Sequence, residues 1–136
     1  MYKCKLYVEL RVVYDDGNVL AACINAANIA LTNTGVEMFD MVVGTGISLR
    51  ADRSCRLDPA KADAEEGSID VTVSVLPSLM RYATCEMTGV TTLRNAVYAI
   101  ERCAQEAVQF QGAVRQSVIG DLLSRSKVDQ DADESL

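Results

Sequence analysis

Any chemistry in this chain has to be done without histidine. None occurs in the 136 residues, so the commonest neutral-pH general base and zinc ligand is missing, and Cys–His catalysis and Cys/His metal sites are excluded within the chain. Carboxylates, lysine and arginine remain. Asp58 and Asp63 stand close together in an acidic stretch with Glu65 and Glu66 and could act as a pair. The plainer reading makes Asp58 the cap of a short helix opened by Pro59, with Asp63, Glu65 and Glu66 on its solvated face. Arg50, Arg53 and Arg56 cluster around a turn, where they could meet nucleic-acid phosphates as point charges or simply pair with Asp52 or Asp58 in a solvated loop. Gly44-x-Gly46 lacks the third glycine of a dinucleotide fingerprint and sits inside an apolar run, so it reads as close packing. The five cysteines at 4, 23, 55, 85 and 103 are odd in number, widely spaced and free of any Cys-x-x-Cys pair, which points to reduced, mostly buried thiols.

The elements that must position these groups follow from the apolar pattern. Leu6, Val8, Leu10, Val12 and Tyr14 alternate with Glu9 and Arg11, as in a half-buried strand, with Lys3, Lys5 and Arg11 facing outward. Asp15-Asp16-Gly17-Asn18 then supplies a turn, because Gly and Asn accept positive φ. Residues 19–34 are mostly small or apolar, with alanine at 21, 22, 26, 27 and 30, and predict a buried helix lying close on a sheet. A buried strand over 41–49, a turn at 51–54 and a short strand to Leu57 form a hairpin. Pro59–Glu66 predicts a short helix, residues 69–76 alternate as a strand ended by Pro77, and residues 81–87 pair back before Gly89. From Thr91 or Thr92, Leu93, Ala96, Val97, Ile100, Cys103, Ala104, Ala107 and Val108 form one apolar stripe of a helix. Gly112 marks a bend, and Val114, Val118 and Leu122 continue the face.

Length and a 49% hydrophobic composition suit one domain with a real core. No apolar run is long enough for a membrane span, and the start lacks the continuous apolar stretch of a secretory signal, which predicts a location inside the cell. The net charge is −6, and about half of it sits in the last ten residues, where Lys127 is outweighed by Asp129, Asp131, Asp133 and Glu134. The body is only mildly acidic and carries no broad basic footprint. The expected organisation is a domain over 1–124 and an acidic, disordered tail over 125–136.

Asp16-Gly17, Asn25-Ala26-Ala27, Ala30-Leu31, Gly35-Val36, Leu57-Asp58-Pro59 and Val71-Thr72-Val73 stand in an order that resembles the second half of the RNase PH domain, found in phosphorolytic exoribonucleases and in the ring subunits of the RNA exosome. The resemblance implies an α+β fold of the RNase PH / ribosomal protein S5 domain 2-like type, a mixed sheet packed against helices with a long C-terminal helical region. In active relatives the turn continues Gly-Gly-Thr-Arg-Thr, which holds phosphate. The matching run here is Gly17-Asn18-Val19-Leu20-Ala21, and Val19 and Leu20 cannot make those bonds. The positions matching the relatives' catalytic aspartates are Arg56 and Ala62, and Leu57-Asp58-Pro59 is worded like the non-catalytic subunits.

The resemblance therefore implies a catalytically inert structural subunit of an exosome-like ring, serving 3'-to-5' RNA processing and degradation, including ribosomal RNA, in the nucleus with its nucleolus and in the cytoplasm. It implies other RNase PH-like subunits as partners in a hetero-oligomeric ring, RNA met through the assembled complex, Arg50, Arg53 and Arg56 as candidate RNA contacts, and no membrane, metal or cofactor. The family domain has a first half with further strands, so the strand over 6–14 is expected to need sheet partners from elsewhere, and obligate assembly is expected. Two alternatives stand beside this reading: a phosphate-dependent 3'-to-5' exoribonuclease using Asp58 and Asp63, and an unrelated small α+β binding module.

Overall fold

A computed structural model of the chain describes residues 5–63 and 67–133, the side chains of 122 and 125–133 excepted. Cys4, Lys3, Glu65, Glu66 and the last three residues of the acidic tail lie outside the described residues. Helix α1 (Val19–Asn33) leads into strand β1 (Val43–Leu49), β2 (Cys55–Leu57), a single 3-10 turn (Lys61–Asp63), β3 (Ile69–Leu76), β4 (Arg81–Thr88) and the long helix α2 (Leu93–Asp133). The sheet order is β2-β1-β3-β4, and every pairing among the described residues is antiparallel, where a mixed sheet was expected.

β3 forms because Ile69, Val71, Val73 and Val75 put β-branched side chains on one face, and all four are buried. β1 is buried along its whole length, in register from Val43 opposite Val75 to Leu49 opposite Ile69. Side chains alternate along a strand, so its odd positions and its even positions meet different helices. Val43, Ile47 and Leu49 join the β3 residues and Ala99, Cys103 and Ala107 of α2 in the core. Gly44 and Gly46 lie on the opposite face, under α1: a Cβ at Gly44 would come within 3.2 Å of the Ala21 Cα. The two glycines are packing residues, as their place inside a strand suggested.

Helix α2 is capped by Thr92, whose hydroxyl accepts the Asn95 N–H at 3.4 Å. It runs unbroken through Gly112, where a bend was expected, because glycine lowers helix propensity without removing a hydrogen bond. It also continues past Ser124 with no break at the expected domain boundary.

The N-terminal segment differs most from expectation. Residues 6–14 form no strand, since no described strand lies beside them to complete a ladder. Their alternation survives as one-sided contact: Leu6, Val8, Leu10 and Val12 are 47–57% exposed, against 85% for Tyr7 and 92% for Val13. Tyr14, expected on the covered side, is 80% exposed. Helix α1 is likewise covered on one face only. Ala21 and Asn28 are buried, whereas Ala22, Ala26, Ile29 and Ala30 are exposed, so the expected fully buried helix is a half-covered one.

Candidate functional site

The turn Asp15–Asn18 and the loop 58–61 meet at the start of α1. Gly17, at φ 111°, directs its N–H to Asp15 Oδ1 at 3.1 Å. It must be glycine for space as well, because a Cβ would stand 2.5 Å from the Pro59 carbonyl oxygen. Asn18 is also left-handed, at φ 50°, and its side chain makes no cap to α1. Its Nδ2 donates instead to Asp58 Oδ1 at 2.7 Å, while its Oδ1 lies over Gly46, shielded from water and without a hydrogen-bond donor.

Further contacts fasten the loop down. The Asp58 N–H donates to the Gly46 carbonyl at 2.9 Å, and the Lys61 N–H donates to the Asp16 carbonyl at 2.6 Å. Lys61 Nζ reaches Asp15 Oδ2 at 2.6 Å, and this bond, with the Gly17 N–H, holds the Asp15 carboxyl below its ordinary value. A small cavity of about 180 Å³ adjoins the corner; Lys61 is the only cation in its lining among the described residues, and it is already engaged by Asp15. The carboxylates of Asp15 and Asp58 stand at a corner filled by its own loop.

Asp58 is not the helix cap expected of it. At φ 51° it takes Asn18 as its partner, and Asp63 Oδ2 accepts the Ala60 N–H at 3.0 Å in its place. Asp63 also pairs with Arg56 Nε at 3.0 Å. The two aspartates thus face different partners, one structural amide and one structural ion pair, and no bond links them. The arginine cluster is arranged around the β1–β2 turn. Arg50 follows β1, Arg53 sits at φ 65° within the turn with no ion-pair partner among the described residues, and Arg56 lies on exposed β2. Asp52 turns its Oδ1 to the Ser54 N–H and hydroxyl, 2.9 and 2.7 Å away; these bonds, with the nearby charge of Arg50, hold its carboxyl below the ordinary value.

A larger cavity, about 550 Å³, opens where β2 stops short of covering β1. α1 flanks it on one side and α2 on the other, with Gly44–Gly46 at the base. Asn25 closes the bare strand edge: its Nδ2 donates to the Gly44 carbonyl and its Oδ1 accepts the Gly44 N–H, both at 2.8 Å. Sequence reasoning gave Asn18 only a place in the turn and Asn25 only a place in the family order, and it passed over Lys61. An asparagine amid alanines on a sheet-facing helix was the available signal for Asn25. Among the described residues no three Cys, Asp or Glu side chains gather as a metal-binding group, and no helix is long and apolar enough to cross a membrane.

The fold is the RNase PH-like α+β class expected from the sequence. In solved structures it matches rice (Oryza sativa) Rrp46 with a TM-score of 0.70 at 24% identity, over 78% of this chain and 50% of that one. In sequence the chain is similar to human exosome complex component MTR3, 37% identical over 83 residues, covering 60% of this chain and 30% of the relative. It is also similar to exosome complex component Rrp41 of Pyrobaculum calidifontis, 25% identical over 116 residues, 85% of this chain and 47% of the relative. The likeness to exosome components holds in both sequence and fold, and it spans less than half the length of these two sequence relatives. No family model matches the chain.

Proposed function

We propose that the protein is a non-catalytic structural subunit of an exosome-like ring, working in 3'-to-5' RNA processing and degradation in the nucleus, its nucleolus and the cytoplasm. Other RNase PH-like subunits are its partners, and RNA is met through the assembled complex. The observation that carries the inert reading is the corner at α1: the loop 58–61 fills it, carboxylates line it, and its lysine is taken by Asp15. Phosphorolysis needs an anion held beside the scissile bond by guanidinium or free amides, and a means of neutralising charge on the leaving phosphate. The side chains of Val19 and Leu20 supply no cation or hydroxyl for either task.

Arg50, Arg53 and Arg56 are the candidate RNA contacts, Arg53 foremost, since Arg56 already serves Asp63. The opposing reading, a phosphate-dependent exoribonuclease using Asp58 and Asp63, predicts nucleoside diphosphate release from single-stranded RNA in phosphate. We expect none from the purified chain, and unchanged output from a reconstituted complex carrying Asp63→Ala. Diphosphate release that this substitution abolishes would sink the inert reading. The likeness to exosome components tells against an unrelated binding module, and co-purification with ring subunits is the expected result.

A further inference from the structure

From the cavity between α1 and α2 we infer a docking pocket for an arginine side chain of a partner protein. The inference rests on the inert reading above, since a working phosphate site next door would oppose a cationic guest. Its lining is amphipathic. Ala21, Ala22, Leu57 and Ala113 give apolar walls, Phe110 adds an aromatic ring, and among the described residues the only charged side chains in the lining are Asp58 and Glu106. At about 550 Å³ it falls within the size range of ligand pockets, roughly 300–1,000 Å³.

Charge complementarity selects the guest. Glu106 keeps one oxygen on Arg102, an ion pair outside the lining, and Asp58 has no ion-pair partner among the described residues. Asp58 Oδ1 takes the Asn18 amide, which leaves its second oxygen without a partner among the described residues, and Asn18 Oδ1 lies in the same lining without a donor. The pocket therefore offers acceptors and lacks cations, so it opposes a phosphate or carboxylate. A guanidinium supplies several donors in one plane, stacks on an aromatic ring and is less strongly hydrated than an ammonium, while its aliphatic stem suits apolar walls.

The mode of entry follows from Asn25. An extended peptide could otherwise have joined the uncovered stretch of β1 as an added strand. Both backbone groups of Gly44 are held by Asn25, and the Gly46 carbonyl is held by the Asp58 N–H, so that route is shut. The guest must reach in with a side chain.

The test uses the full chain and two peptides, acetyl-Gly-Ser-Arg-Ser-Gly-amide and the same peptide with citrulline, which keeps the shape of arginine and loses its charge. NMR titration should shift the side-chain amide signals of Asn18 and Asn25 with the arginine peptide, and the citrulline peptide should bind at least about tenfold more weakly. Asp58→Asn keeps a residue that accepts positive φ and should weaken binding about tenfold; Glu106→Gln should weaken it too. Equal binding of the two peptides, indifference to both substitutions, or shifts confined to residues outside the cavity would overturn the pocket. A parallel titration with inorganic phosphate separates the two proposals. Phosphate moving the Gly17 and Asn18 backbone amides would defeat the inert reading, whereas failed peptide binding with phosphate silent would defeat the docking pocket alone.

Discussion

Cys103 is the most constrained of the described thiols. Burial pushes its pKa up, against the lowering effect of its hydrogen bond with Thr45, whose hydroxyl also donates to the Cys103 carbonyl at 2.9 Å. The thiol is thus held neutral and out of reach. Native-state alkylation with iodoacetamide should label exposed Cys55 and Cys85 and leave Cys103 untouched until the protein unfolds, as read by peptide mass spectrometry. Gly46 gives a second residue-scale prediction. A methyl group there would collide with Asn18 Oδ1 and displace the amide from Asp58. Gly46→Ala should cost about 1–2 kcal/mol, the scale of one lost hydrogen bond with local repacking, seen as a lower urea midpoint with an unchanged slope. The sequence showed that Gly46 was for packing; it did not show what it packed against, because the partner amide comes from a turn 28 residues earlier.

Among elements, the β3–β4 hairpin depends on a residue outside it. Asp40 Oδ2 accepts the N–H groups of Ser78 and Leu79 at 2.8 and 3.2 Å. Burial raises the Asp40 carboxyl, but the Ser78 hydroxyl and the N–H groups of Leu79, Met41 and Ser78 together outweigh it, and the net shift is downward. A depressed carboxyl stabilises the fold above its unfolded value, near 3.8, and that contribution fades as pH falls through the lower folded value. Stability of the wild type should therefore fall more steeply than that of Asp40→Asn below about pH 4, measured by urea unfolding in a pH series. Asp15 and Asp52 are also depressed, so the difference between the two proteins, not either slope alone, reports Asp40. Strands β1 to β4 were readable because Val71-Thr72-Val73 and its neighbours bury one face whatever else surrounds them. The same pattern misled at residues 6–14. Alternation records which side chains seek cover, but a strand is a property of a pair, and no partner for this one stands among the described residues. Asp58 misled for a related reason: a cap and a long-range amide compete for one carboxylate, and only the fold decides between them.

For the whole molecule, the uncovered apolar surface is the dominant fact. Leu6, Val8, Leu10 and Val12 are about half exposed, and Ala22, Ala26, Ile29 and Ala30 leave an apolar stripe on α1. Contiguous apolar surface of this kind marks an interaction site or an aggregation liability. Leu10→Lys should reduce self-association of the isolated chain, read as a shift to later elution with light-scattering mass near 14.7 kDa, and should weaken recovery of ring partners. An unchanged mass distribution would show that this segment takes no part in assembly.

The four strands are guarded unequally. Asn25 and Asp58 occupy backbone groups of β1 that the short β2 leaves uncovered; at the far side, the eight residues of β4 present a rim that no described strand covers, with no proline and only Arg81 and Glu86 charged. The longer of the two sheet edges is thus the unprotected one. A chain recruited through main-chain pairing at this rim would lie alongside Arg81–Thr88, and replacing an outward residue of that strand with proline is the way to stop it.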